Sequence, residues 1–117
     1  MKDLLFFLFM SFIIFSICTM PIKVAQVSGN SMNTTLENGD ILIINTKKTP
    51  KINDIVSVRV NNLNSVKLEY DYIVKRIVDI TEEGMYLLGD NAAVSYDSRY
   101  FGYVPLSNLD GVVVFYF

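Results

Sequence analysis

One uninterrupted apolar run constrains this chain more than any other feature: residues 4–20, LLFFLFMSFIIFSICTM, carry no charge, no glycine and no proline. A run without polar punctuation lacks the one-sided pattern by which a helix packs onto a small core. As a helix it would extend about 25 Å at about 1.5 Å per residue, near the lower limit for crossing a hydrocarbon core. Pro21 supplies a stop. The reading is an N-terminal transmembrane anchor over residues 1–22. A cleavable signal peptide competes with it. Against cleavage, Asp3 offsets Lys2, the run is long, and Ser16-Ile17-Cys18 makes a poor cleavage site. Ile17 before Cys18 also disfavours a lipoprotein signal. A retained anchor is therefore preferred, with orientation unset because Lys2 and Lys23 flank it symmetrically.

Residues 23–117 then form one β-rich domain, small enough to be marginally stable. Beyond the anchor the apolar runs are short, β-branched and separated by turn signals. Strands are expected at residues 24–27, 41–45, 55–60, 72–80, 85–88 and 111–116. Turn-forming pieces lie between them: Glu37-Asn38-Gly39-Asp40, Thr49-Pro50, residues 61–65, Glu82-Glu83-Gly84 and Gly89-Asp90-Asn91. The expected class is mostly β, a compact antiparallel sheet or partly closed barrel with one N-terminal transmembrane helix.

Composition removes several chemistries. The net charge is −2 and the basic residues are scattered, so no nucleic-acid surface is indicated. The single cysteine, Cys18, forbids an intrachain disulfide. There is no histidine, which excludes a Ser-His-Asp triad and argues against a Cys/His zinc site. No metal or cofactor is implied, and any hydrolytic chemistry needs another base.

Three segments could supply that chemistry. In Val27-Ser28-Gly29-Asn30-Ser31-Met32 a strand runs into a turn that delivers Ser31 beside free backbone N–H groups, as an oxyanion site requires. A hydroxyl capping a loop is the plainer reading of the same hexapeptide. In residues 71–80, DYIVKRIVDI, side-chain alternation puts Lys75 on one face with Ile73 and Ile77, and Arg76 on the other with Val74 and Val78. Poor hydration between two isoleucines would lower the lysine pKa and make its amine a general base. Alternatively, Lys75 snorkels to water from a strand edge. The third segment, residues 89–102, is a polar loop in which Asp97 and Arg99 can pair, Ser95 and Ser98 can orient an amine, and Tyr96, Tyr100 and Phe101 suggest packing.

Taken in order, these pieces resemble the bacterial signal peptidase I family. SGNSMNTTL is similar to its nucleophile box, NGDILII to the strand that follows, PKINDIVSV to its Pro…Gly-Asp-Ile-Val segment, DYIVKRIV to its lysine box, and GDNAAVSYDSRYFGYVP to its C-terminal box. The resemblance covers nearly all of the chain from residue 24. It implies a Ser-Lys dyad, with Ser31 as nucleophile and Lys75 as base. Ser95 would orient the lysine, the N–H groups at Ser31 and Gly29 would hold the oxyanion, Asp97 and Arg99 would form a supporting ion pair, and Met32 would shape the cleft. Thr34, Asn53 and Ala92 depart from the family's usual proline, glycine and arginine.

The same resemblance implies an endopeptidase that removes signal peptides from exported preproteins through an acyl-enzyme. The substrate would add as a strand beside residues 24–27, with small residues flanking the cleavage site. Its partners would be those preproteins and the lipid bilayer, with the catalytic domain on the extracytoplasmic side of a single-pass anchor in the cell membrane. A conjugation-type pilus-processing peptidase and an inactive preprotein-binding β-domain are the alternatives. Self-cleaving repressors share the Gly-x-Ser-Met and Lys-Arg pattern and rank lower, lacking the anchor and the last box.

Overall fold

The computed structural model describes residues 1–117. Helix α1 runs Lys2–Cys18, and the strands are β1 Ile22–Gln26, β2 Ile41–Asn45, β3 Ile55–Arg59, β4 Tyr72–Thr81, β5 Gly84–Leu88 and β6 Leu109–Tyr116. A short helix, α2 Ser98–Phe101, lies in the loop after β5.

Two expectations are corrected. The apolar run does not become a transmembrane helix: no helix is long and apolar enough to cross a membrane. The reason is local. Thr19 ends the helix, its Oγ1 donating to Phe15 O at 3.0 Å and Ser16 O at 3.2 Å. Pro21 then biases the residue before it away from helical geometry. The apolar part of α1, residues 4–18, therefore rises about 22 Å, against a hydrocarbon core of about 30 Å. None of its residues is buried. The second correction is closure. The sheet is open, in the order β1-β2-β6-β3-β4-β5, so no barrel forms; β1 is a free edge, whereas β5 is covered by a bridge between Met85 and Val104.

All strand pairs are antiparallel. The β-branched runs place each expected strand in the sheet, with ends displaced by a residue or two, most at β1 and β6. Both faces are covered, as the burial of four successive β3 residues, Ile55 to Val58, requires. One face carries Val56, Val58, Ile73, Ile77, Met85, Leu87 and Val112. The other carries Met32, Leu36, Leu42, Ile44 and Ile55. Each fully buried aliphatic side chain contributes roughly 2 kcal/mol of transfer free energy. Because Met32 and Leu36 belong to the second cluster, the loop bearing Ser31 is seated by its own apolar residues.

The long excursion after β5 is fastened at both ends. Val104 and Met85 exchange backbone hydrogen bonds at 2.7 and 2.8 Å. At the other end, the Leu87 N–H donates to Ser98 Oγ at 2.8 Å. The polar loop thus returns over the sheet, toward the segment that holds Ser31.

Candidate active site

β4 sends alternate side chains to opposite faces, so Lys75 shares a face with Ile73 and Ile77, which are 9% and 0% exposed. Lys75 itself is only 5% exposed. Its Nζ donates to Ser31 Oγ at 2.7 Å, the one side-chain hydrogen bond the amine makes. Burial lowers the lysine pKa from its ordinary value; the Asp97 carboxylate works against that and the Arg99 guanidinium adds to it. A buried amine with a lowered pKa, in contact with a hydroxyl, is equipped to remove that hydroxyl's proton.

Ser31 opens into a groove of about 490 Å³, bounded by residues 25–32 on one side and by residues 70–75 with Leu68, Val94 and Tyr96 on the other. The dyad lies where β1, the free edge, faces the start of β4. The Val27 N–H donates to Asp40 O, and Val27 O accepts from the Gly39 N–H. Backbone groups alternate sides along a strand, so those of Val24 and Gln26 face away from β2 and are open to an added strand.

The nucleophile loop is held from several directions. The Asn91 N–H donates to Ser31 O at 2.9 Å, and Asn91 Nδ2 donates to Asn30 O at 3.1 Å. The Asp90 carboxylate accepts from Arg76 Nε at 2.9 Å and Nη2 at 2.7 Å, and from Thr35 Oγ1 at 2.6 Å. Arg76 Nη1 also donates to Asn53 O at 2.8 Å. Arg76, on the opposite face from Lys75, therefore clamps the Ser31 loop against β4 through Asp90. The sequence reading gave Arg76, Asp90, Asn91 and Thr35 no role. The only signals were the polar Gly-Asp-Asn cluster and the arginine next to Lys75.

Asp97 is fully buried, and Arg99 pairs with it through Nε–Oδ1 at 2.9 Å and Nη2–Oδ2 at 3.2 Å. The Gly89 N–H donates to Asp97 Oδ2 at 3.0 Å. Burial pushes this carboxyl up, but the Arg99 ion pair, the Gly89 N–H, the nearby Ser95 hydroxyl and the Arg99 N–H overcome it and hold the pKa at about 2. Arg99 Nη2 also donates to Ala92 O and Ser95 O.

Since the folded pKa of Asp97 lies below its unfolded value of about 3.9, its contribution is complete above that value and disappears as pH falls through about 2. Asp97→Asn is expected to cost about 2 kcal/mol at neutral pH. Urea unfolding at pH 7 and near pH 2 checks this, since the gap between wild type and variant should narrow in acid.

Ser95 departs from its expected contact. Its Oγ is enclosed and makes no well-formed hydrogen bond to Lys75 or any other group, but it lies close enough to the Asp97 carboxylate to help hold that group ionised. It also lies against Gly89, where an added Cβ would fall 2.2 Å from Ser95 Oγ and 2.6 Å from Ser31 O. Gly89→Ala must displace the nucleophile loop or the Ser95 loop, and is expected to destabilise the fold by about 2–3 kcal/mol. Thermal unfolding of the variant measures the cost.

Gly29 also departs: its N–H donates to Asn38 Oδ1 at 2.9 Å and is not free for an oxyanion. Its φ of +95° shows why a glycine stands there. The Ser31 N–H makes no such bond and is available. Met32 lines the groove, and its Sδ accepts from the Asp90 N–H at 3.4 Å. Thr34 is exposed, Asn53 takes φ +78° where the usual residue is glycine, and the carbonyl of Ala92 accepts from Arg99.

The sequence provides a further observation. Residues 15–105 match the family model described as Peptidase S24-like. The chain belongs to that family. The family is of the serine-peptidase type, and the matched region contains Ser31, Lys75 and the loop that fastens them. No curated protein matches the chain.

Proposed function

We propose that this S24-like chain is a serine endopeptidase that removes signal peptides from exported preproteins, with Ser31 as nucleophile and Lys75 as general base. The observation that carries the reading is the 2.7 Å contact between Lys75 Nζ and Ser31 Oγ in an open groove. The ordered sequence boxes, from SGNSM to GDNAAVSYDSR, supply the preference for signal-peptide processing. A preprotein segment lies extended along β1 and adds by backbone hydrogen bonds to the free edge. Neutral Lys75 accepts the Ser31 proton as Oγ attacks the scissile carbonyl. The developing oxyanion takes the Ser31 N–H, a donor worth about 3 kcal/mol. The protonated amine then gives its proton to the leaving nitrogen, and the acyl-enzyme is hydrolysed by a water that Lys75 deprotonates.

The test is mass spectrometry of preproteins incubated with the wild-type chain and with Ser31→Ala. Mature proteins beginning at one defined bond, in the wild-type reaction alone, support the reading; unprocessed precursors in both reactions overturn it. A second reading, in which the groove takes a segment of the chain's own polypeptide as in self-cleaving repressors, is favoured by the S24-like match. It requires fragments of the chain itself when wild type is incubated alone.

A further inference from the structure

The groove is lined by one largely buried serine whose hydroxyl neither the dyad nor the fold uses. Ser57 on β3 is 3% exposed and lines the groove. It lies on the face that carries Ile55, away from the apolar face of Val56 and Val58. Its strand partners are Val74 on β4 and Gly111 on β6. Gly111 has no side chain to cover it, and none fits: a Cβ there would fall 2.5 Å from Ile44 Cγ2. The same groove is lined by Ala25, Val27 and Val74, all packed on the apolar cluster of that face. The Ser57 hydroxyl makes no side-chain hydrogen bond, and its oxygen is not sealed from solvent, so it opens on the groove and would be covered only by a bound peptide. A valine or alanine would suit this position if its task were packing alone.

We infer that Ser57 is a specificity-determining residue: its hydroxyl selects, on the groove floor, a substrate side chain that is small and carries a hydroxyl, serine or threonine. This rests on the endopeptidase reading of the groove and deepens it. An extended peptide along β1 turns alternate side chains toward the floor. The one that meets Ala25, Val27 and Val74 finds apolar walls and a single unpartnered donor and acceptor. A small apolar side chain fits but leaves that group unsatisfied. A serine or threonine fits and satisfies it.

The experiment uses matched peptides that carry Ala, Ser, Val or Thr in turn at each position flanking the scissile bond. Each is cleaved by wild type, Ser57→Ala and Ser57→Thr. At one position, wild type is expected to favour Ser over Ala and Thr over Val by roughly three- to tenfold in kcat/KM. Ser57→Ala brings those ratios to about one. Ser57→Thr, which keeps the hydroxyl, retains the preference. Normal cleavage by wild type with no hydroxyl preference at any position overturns the inference and leaves the endopeptidase reading intact. A preference that survives in Ser57→Ala assigns it to another group and also overturns the inference. Absence of cleavage of every peptide by wild type overturns both.

Discussion

Replacing Ser31 with alanine, or Lys75 with methionine, is expected to lower peptide-bond cleavage by ~10⁴-fold or more while the sheet stays folded. The two side chains act on one proton, so the double variant should be barely worse than either single one. Their effects on stability should differ. Ser31 sits half-buried at the groove, and losing its hydroxyl leaves both apolar clusters whole. Lys75 is buried with its pKa lowered, chiefly by loss of hydration. Between its folded and unfolded pKa the unfolded chain holds the extra proton, so stability rises with pH across that window. At lower pH the folded chain carries the full cost of a buried ammonium. Lys75→Met removes that cost and keeps the methylene packing. Its melting temperature near neutral pH should therefore equal or exceed that of wild type. Cleavage assays alongside thermal unfolding check both statements. A Lys75→Met protein that is inactive because it is unfolded would contradict the account, as would one that cleaves at a normal rate.

Much of the sheet could be read from residue order because its determinants are local. Ile41–Asn45 and Ile55–Arg59 are β-branched runs between turn formers, and they pair where their sequences place them. The environment of Lys75 was legible for the same reason, since alternation along one strand puts it between Ile73 and Ile77. The supports of Ser31 were not. Asp90 meets Thr35 across 55 positions and Arg76 across 14, and no local period encodes either contact. Gly89 gave no sign that Ser95 and Ser31 crowd around it, a fact of tertiary approach alone. Asn38 took the Gly29 N–H for the same reason: a turn amide can reach back only once both ends of the turn are placed. The apolar N-terminus misled because hydropathy counts residues, whereas a span needs helical length. The Thr19 cap and Pro21 end the helix before that length is reached.

The acid limb of the pH–rate profile should carry the second large effect. Lys75 must be neutral to accept the Ser31 proton, so kcat/KM should rise about tenfold per pH unit below its folded pKa and level off above it. Burial displaces that inflection downward from the ordinary lysine value of 10.5. Asp97 is the group that opposes the displacement, since its carboxylate favours the ammonium. Removing its charge with Asp97→Asn should therefore move the inflection to lower pH, within the range where the variant remains folded. A purely structural role for Asp97 would lower activity at every pH and leave the inflection in place. The measurement is kcat/KM from about pH 6 to about pH 10, below the ordinary lysine value, with a slow peptide substrate so that chemistry limits the rate. A flat profile would mean that no titrating base acts on Ser31. A single ascending limb that moves with Asp97→Asn would assign that base to Lys75, the only lysine whose amine contacts the serine.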